Sequence, residues 1–255
     1  MNILSASILG IIEGITEFLP ISSTGHLILA SSLLRMQQSE FLKTFEISIQ
    51  LGAILAVVVL YWRWLARDLR TLKKIAVAFV PTGVIGLIFY RIIKTFLLGN
   101  SSVVLWSLLL GGIFIIIFEL YHRNKDGSID RMDLISYRQA FLIGVFQSLA
   151  VVPGVSRSAA TIIGGLMLGL KRKTIVEFSF LLAVPTMACA TGLDLARTAF
   201  SFTPEQFKYL FFGFALSFGA ALLAIKFLLS FIKNNSFMLF GIYRIILALL
   251  LWKYI

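Results

Sequence analysis

Apolar residues along this chain gather into long runs, separated by short polar stretches that are mostly basic. Leu51–Trp62, Val103–Phe118 and Phe237–Trp252 each hold few or no charged residues. A bilayer core of ~30 Å is crossed by about 20 such residues in a helix. With their flanks, the runs predict six spanning helices, at roughly 45–62, 75–93, 102–121, 175–193, 208–230 and 237–253. Two further apolar segments, 3–34 and 139–170, carry a different pattern. Each is interrupted near its middle, by Pro20-Ile21-Ser22-Ser23-Thr24-Gly25-His26 and by Pro153-Gly154-Val155-Ser156-Arg157-Ser158. Each is either two crossing helices or one re-entrant hairpin that enters and leaves on the same side. Irregular backbone survives at membrane depth only where it lines a protein cavity.

The two halves share this layout. Gly10 and Glu13 precede the first break, as Gly144 and Gln147 precede the second. Glu46-Ile47-Ser48 follows the first, as Glu177-Phe178-Ser179 follows the second. Interrupted helices in corresponding places point to a site between two repeats. The expectation is therefore one integral membrane domain over 1–255, with internal repeats at about 1–121 and 138–255. The fold class is all-α polytopic: six transmembrane helices plus two re-entrant helix pairs in an inverted-topology repeat.

Composition agrees with this class. Of 255 residues, 59% are hydrophobic and 14% charged, whereas soluble domains run nearer half apolar and a quarter charged. The N-terminal stretch lacks the basic region of a signal peptide, and Glu13 and Glu17 interrupt it. Cys189 stands alone, which excludes a disulfide framework. A net charge of +11 suggests nucleic acid at first sight, but the basic residues lie between the apolar runs, where membrane topology puts them. With both broken segments re-entrant, one face collects Arg63, Arg67, Arg70, Lys73, Lys74, Arg123, Lys125, Arg131, Arg138, Lys171, Arg172, Lys173, Lys226 and Lys233. The other collects Arg35, Lys43, Arg91, Lys94, Arg197, Lys208 and Lys253. This bias puts the first face in the cytoplasm. Arg157 and Arg244 lie inside apolar segments.

The chemistry clusters at the breaks. Glu13 and Glu17, four apart, share one helix face. Carboxylates at membrane depth are expensive and mark function by default, although both would also be tolerated in the headgroup zone. Ser22, Ser23 and Thr24 sit where a second helix starts. Their hydroxyls suit capping, and the same helix end suits a phosphate. His26 falls in the first turn of that helix and is fit for acid–base work near neutral pH, or for a purely structural role. Arg157, flanked by Ser156 and Ser158, suits bidentate phosphate recognition or an ion pair with Glu13 or Glu17. If the breaks meet, the groups present are enough for phosphoryl transfer, where positioning and charge stabilisation dominate.

Glu13-Gly14-Ile15-Thr16-Glu17-Phe18-Leu19-Pro20-Ile21-Ser22-Ser23-Thr24-Gly25-His26-Leu27 resembles the first signature of the undecaprenyl-pyrophosphate phosphatases, the bacitracin-resistance proteins. Pro153–Thr161 resembles the second, and Phe45–Trp62 and Glu177–Pro185 are also similar. The resemblance covers essentially the whole chain. It implies removal of the terminal phosphate from a C55 polyprenyl pyrophosphate, recycling the carrier lipid of cell-wall synthesis. It implies a multi-pass bacterial inner-membrane protein with its site open to the periplasm, dependent on a divalent cation, Mg²⁺ or Ca²⁺. Bacitracin would act on the substrate, and the protein would be a monomer or loose homodimer. By motif position, Glu13 and Glu17 would hold the metal or move protons. Ser23 would be the favoured nucleophile, with His26 as competitor for that role or as acid–base, and direct attack by water as a third route. Ser22, Thr24, Gly25, Ser156, Arg157 and Ser158 would bind the pyrophosphate. A secondary transporter or lipid flippase is the rival class, since inverted repeats with broken helices serve transport too. An acid-phosphatase-type membrane enzyme fits less well, because it needs two catalytic histidines and the second one here, His122, sits in a basic loop.

Overall fold

The structure, a computed structural model, describes residues 1–37, 39–89, 101–122, 127–198 and 202–252. Ten α-helices and two 3₁₀ turns make up these residues, and none forms a strand of a sheet. The helices are α1 (Ile3–Thr16), α2 (Ser23–Leu33), α3 (Glu40–Leu65), α4 (Leu69–Ile88), α5 (Ser101–His122), α6 (Tyr137–Ser148), α7 (Arg157–Met167), α8 (Arg172–Thr198), α9 (Pro204–Phe231) and α10 (Met238–Trp252). Their starts follow from side chains that occupy the orphan N–H groups of a first turn. Ser39 accepts from Leu42 N–H, Asp68 from Thr71 N–H, and capping boxes open α6 at Ser136/Gln139 and α9 at Thr203/Gln206. Pro204 sits at the first turn of α9, where its missing N–H does no harm.

Five of these helices, α3, α4, α5, α8 and α9, are long and apolar enough to cross a membrane. Their outer faces carry Leu110, Phe114, Phe211 and Leu223, all more than half exposed. That is a face for lipid, and the chain is an all-helical polytopic membrane protein. The sixth expected span, 237–253, is helical over Met238–Trp252 among the described residues, as α10. α3, α8 and α9 run beyond the expected ends; side-chain caps from Ser39 and Thr203 open the polar first turns of α3 and α9. The end of the expected 75–93 span, with Arg91 and Lys94, lies outside the described residues, as do Arg123, Lys125 and Lys253.

Each broken segment folds as a hairpin of two short helices. α1 and α2 have 14 and 11 residues, α6 and α7 have 12 and 11, too short to cross singly. In the first hairpin Ala6 and Leu9 of α1 pack with Leu27 and Ala30 of α2 and with Leu42, Phe45 and Ile49 of α3. Both legs therefore begin and end beside the start of α3. In the second, Gln139 Nε2 at the head of α6 donates to Leu168 O at the foot of α7 (3.0 Å). Lys74 Nζ from the first turns of α4 donates to Asp133 O (2.6 Å) just before α6. α3 carries the chain about 39 Å from the first of these ends to the second, so the hairpins enter the bundle from opposite ends.

Packing between the halves is reciprocal. α1 lies along α9, and α6 lies along α4. Glycines set the approach in both pairs: a Cβ on Gly10 or Gly14 would strike the carbonyls of Gly213 and Ser217, and one on Gly144 would strike Ala78 O. α3 packs on α8 and α5 on α10, each joining one helix from either half. The tips of both hairpins are thereby held near the middle of the bundle.

Candidate functional site

The first tip begins where Pro20 stops α1. The chain turns over Glu17–Ile21, and α2 then starts from Ser22, whose φ is +70° and whose Oγ accepts from Gly25 N–H. The second tip repeats the device. After a 3₁₀ turn at Leu149–Val151 and Gly154 at φ +90°, Ser156 at φ +74° accepts from Ala159 N–H and opens α7. Positive φ is strained for a residue with a Cβ, so both serines are held there by the packing around them. Two helix N-termini, each a partial positive charge, are brought to one place.

The tips are joined by direct contacts. Ser23 Oγ donates to Glu17 Oε2 at 2.6 Å, and Arg157 Nη2 donates to Glu17 Oε1 at 2.9 Å. Arg157 Nη1 donates to Ser179 O (3.0 Å), which locks the guanidinium plane against α8. Ser158 Oγ donates to Leu19 O at 2.8 Å, from one hairpin to the other. Glu17 and Arg157 side chains are 3% and 6% exposed, so this ion pair is shielded from solvent. Phe18 lies under the guanidinium, 5.8 Å from ring centre to Cζ.

A cavity of about 80 Å³ opens between the tips. Its wall includes Glu17, Ser22, Ser23, Thr24, Ser156 and Arg157, together with Gln50, Pro153, Gly154 and Met187. That space takes a head group and not a lipid tail. Arg157 Nε is buried without a hydrogen-bond partner, a donor left over on a residue of the cavity wall.

The remaining expected residues fall around this centre. Gly25 is buried with Leu108 against it, so it packs α2 on α5. Ser158 faces the first hairpin and not the cavity. Glu13 is fully buried one turn behind Glu17, and neither carboxylate oxygen has a hydrogen-bond partner. Both ring nitrogens of His26 are engaged: Nδ1 with Ser22 O at 2.8 Å and Nε2 with Tyr243 Oη at 2.7 Å. His26 is not among the residues lining the cavity.

Some neighbours escaped the sequence reading. Tyr243 left no signal, being an aromatic residue in an apolar run. Arg244 did leave one, as a lone charge in that run, but nothing in its surroundings indicated a destination. Glu46 belongs to the Glu-x-Ser pattern and lies in α3, with Oε1 buried and unpartnered. Among the described residues, no three His, Cys, Asp or Glu side chains are grouped to hold a metal by themselves.

Lipid-facing helices around two opposed hairpins, with an acid–hydroxyl–guanidinium chain where their tips meet, define an integral membrane protein with a buried polar site. The bacitracin resistance protein BacA family matches residues 6–250, and the chain belongs to that family. It is similar to the undecaprenyl-diphosphatase of Sulfurihydrogenibium sp. (strain YO3AOP1), 56% identical over 99% of this chain and all of the relative. It is also similar to the undecaprenyl-diphosphatase of Aquifex aeolicus, 53% identical over 96% of this chain and 95% of the relative. That of Wolinella succinogenes is 49% identical over 100% of this chain and 99% of the relative.

Proposed function

We propose that this protein is an undecaprenyl-diphosphatase, a membrane hydrolase that removes the terminal phosphate of undecaprenyl pyrophosphate and returns the carrier lipid to cell-wall synthesis, with bacitracin resistance as the consequence. The observation that carries this reading is the chain Ser23–Glu17–Arg157, which brings a hydroxyl, a carboxylate and a guanidinium to one buried cavity, groups suited to act as nucleophile, base and phosphate-binding cation. Full-length similarity to proteins of that name supports the same activity.

Ser23 is already donating to Glu17, so Glu17 takes the hydroxyl proton as Ser23 Oγ attacks the terminal phosphorus. The anhydride P–O bond breaks, and undecaprenyl phosphate leaves with the electron pair. Water then attacks the phosphoserine, releasing inorganic phosphate and returning the proton to Ser23. The two helix N-termini and the spare Arg157 Nε–H face the charge that develops on the phosphoryl oxygens. Ser22, Thr24 and Ser156 complete the grip. His26, held by Ser22 O and Tyr243, sets the shape of the first tip.

Glu13 fits a divalent cation. A buried carboxylate with both oxygens unpartnered calls for a positive charge, and Mg²⁺ typically takes one or two carboxylates and fills its shell with phosphate oxygens and water. Glu13 would hold it, since both Glu17 oxygens are taken by Ser23 and Arg157, and when bound it would neutralise charge on the phosphate. The repeats, 1–121 and 138–255, are inverted on this reading, supported by the reciprocal packing and the matched serine caps. Basic residues at the α3–α4, α5–α8 end support a cytoplasmic side for that end, in an inner membrane. The outward opening of the cavity rests on the family resemblance; a monomer or loose homodimer rests on glycine-rich stretches such as Gly164-Gly165 and Gly111-Gly112, which allow close helix packing within one chain or between two.

The test is phosphate release from C55 pyrophosphate by the detergent-purified protein with Mg²⁺, with Ca²⁺ and with chelator. Cation-dependent release is expected. A folded protein that releases none under any of these conditions overturns the reading and favours a transporter.

A further inference from the structure

α10 lies outside both signature motifs, yet two consecutive residues of it reach the two tips separately. Tyr243 Oη meets His26 Nε2 at 2.7 Å. His26 Nδ1 meets a carbonyl, Ser22 O, which only accepts. Nδ1 therefore carries the hydrogen, and in the neutral ring Nε2 accepts from the tyrosine hydroxyl. The path Tyr243–His26–Ser22 ends on the serine held at φ +70°, whose neighbours Ser23 and Thr24 line the cavity.

Arg244 turns the other way. It is fully buried, and its guanidinium donates to four carbonyls: Val155 O and Gly154 O (2.9 and 2.8 Å) in the second tip, and Ser107 O and Leu108 O (2.8 and 3.4 Å) in α5. No carboxylate pairs with it among the described residues. The space is made by glycines. A Cβ on Gly111 would strike the guanidinium, and Gly112 lets α5 close on Gly241 of α10. Two of the four carbonyls belong to the residues just before Ser156, at φ +74°, and Arg157.

We infer that Tyr243 and Arg244 are positioning residues that brace the two phosphate-gripping tips from a single helix, Tyr243 acting through His26 on the first tip and Arg244 directly on the second. Adjacent residues on a helix point about 100° apart, so one rigid element sets both tips at once and fixes the separation between them. A guanidinium is suited to this because its planar fork reaches several carbonyls in fixed directions, which an ammonium cannot do. This rests on the phosphatase reading for its kinetic part; the bracing itself is independent of it.

The experiment compares Tyr243→Phe, Arg244→Lys and Gly111→Ala with wild type by hydrogen–deuterium exchange in detergent, and by phosphate release as a function of C55 pyrophosphate. Tyr243→Phe removes only a hydroxyl, and Gly111→Ala pushes the guanidinium aside while keeping the arginine. Exchange is expected to rise about tenfold over residues 21–26 in Tyr243→Phe, and over 153–157 in Arg244→Lys and Gly111→Ala, with α3 and α8 unchanged. KM is expected to rise about three- to tenfold in each, along with a fall in kcat. A role confined to holding the bundle together would raise exchange throughout, or lower kcat at unchanged KM as active protein is lost; either result overturns the inference. If wild type releases no phosphate, the function falls, and the exchange pattern alone decides the brace.

Discussion

Ser23 Oγ lies 2.6 Å from Glu17 Oε2, within a buried cavity wall. A short hydrogen bond to an ionised acceptor is the arrangement a serine needs in order to be deprotonated as it attacks. Ser23→Ala removes the nucleophile and leaves Glu17 paired to Arg157. Phosphate release is expected to fall about a thousandfold, roughly 4 kcal/mol of transition-state stabilisation, with the melting temperature in detergent nearly unchanged. Full turnover by the alanine variant would remove the serine from the chemistry.

Glu17 and Arg157 form a buried pair in which each depends on the other. Removing one partner of such a pair strands a charge and costs about 3–5 kcal/mol, whereas removing both costs much less. Glu17→Ala is therefore expected to unfold at a clearly lower temperature than Glu17→Ala/Arg157→Met. All such variants should be inactive. If thermal unfolding ranks the double variant below both singles, the pair is not coupled as described.

Legibility from sequence followed a physical line here. The hairpin tips were readable because Pro, Gly and hydroxyl clusters inside apolar runs have no use in a continuous span. Glu13, Glu17 and Arg157 were readable because charge in such segments needs a reason. Tyr243 and Arg244 were not, since their roles come from where α10 docks on α5, a tertiary fact.

Glu13, with both oxygens buried and unpartnered, would be a ligand of the proposed cation. Glu13→Gln keeps the shape and halves the ligating power of the side chain. About tenfold more Mg²⁺ is expected for half-maximal phosphate release, with folding stability little changed, because the amide is close to the carboxyl in shape. An unaltered Mg²⁺ titration would take Glu13 out of the cation site.

Ser156 combines a cap with a strained backbone. Ser156→Ala loses the cap and keeps the strain, while Ser156→Gly loses the cap and relieves it. The alanine variant is expected to be about 1–2 kcal/mol less stable than the glycine variant, the reverse of the usual helix preference. Denaturation of both in one detergent gives the sign directly.

Gly144 touches the Ala78 carbonyl where α6 lies along α4. Gly144→Ala has no flexible side chain to push aside, only backbone, so it is expected to destabilise by about 1–3 kcal/mol, read as a lower melting temperature.

The two tips enter the bundle from opposite ends, and Glu17 finds its counter-charge 140 residues later in the chain. At a synthesis rate of 5–20 residues per second, that interval is on the order of ten seconds. During it the first hairpin has emerged from the ribosome with two carboxylates and no arginine to meet them. The first half is thus an unfinished guest in the membrane until the second arrives, and the act that completes the protein's structure is the same one that creates its site.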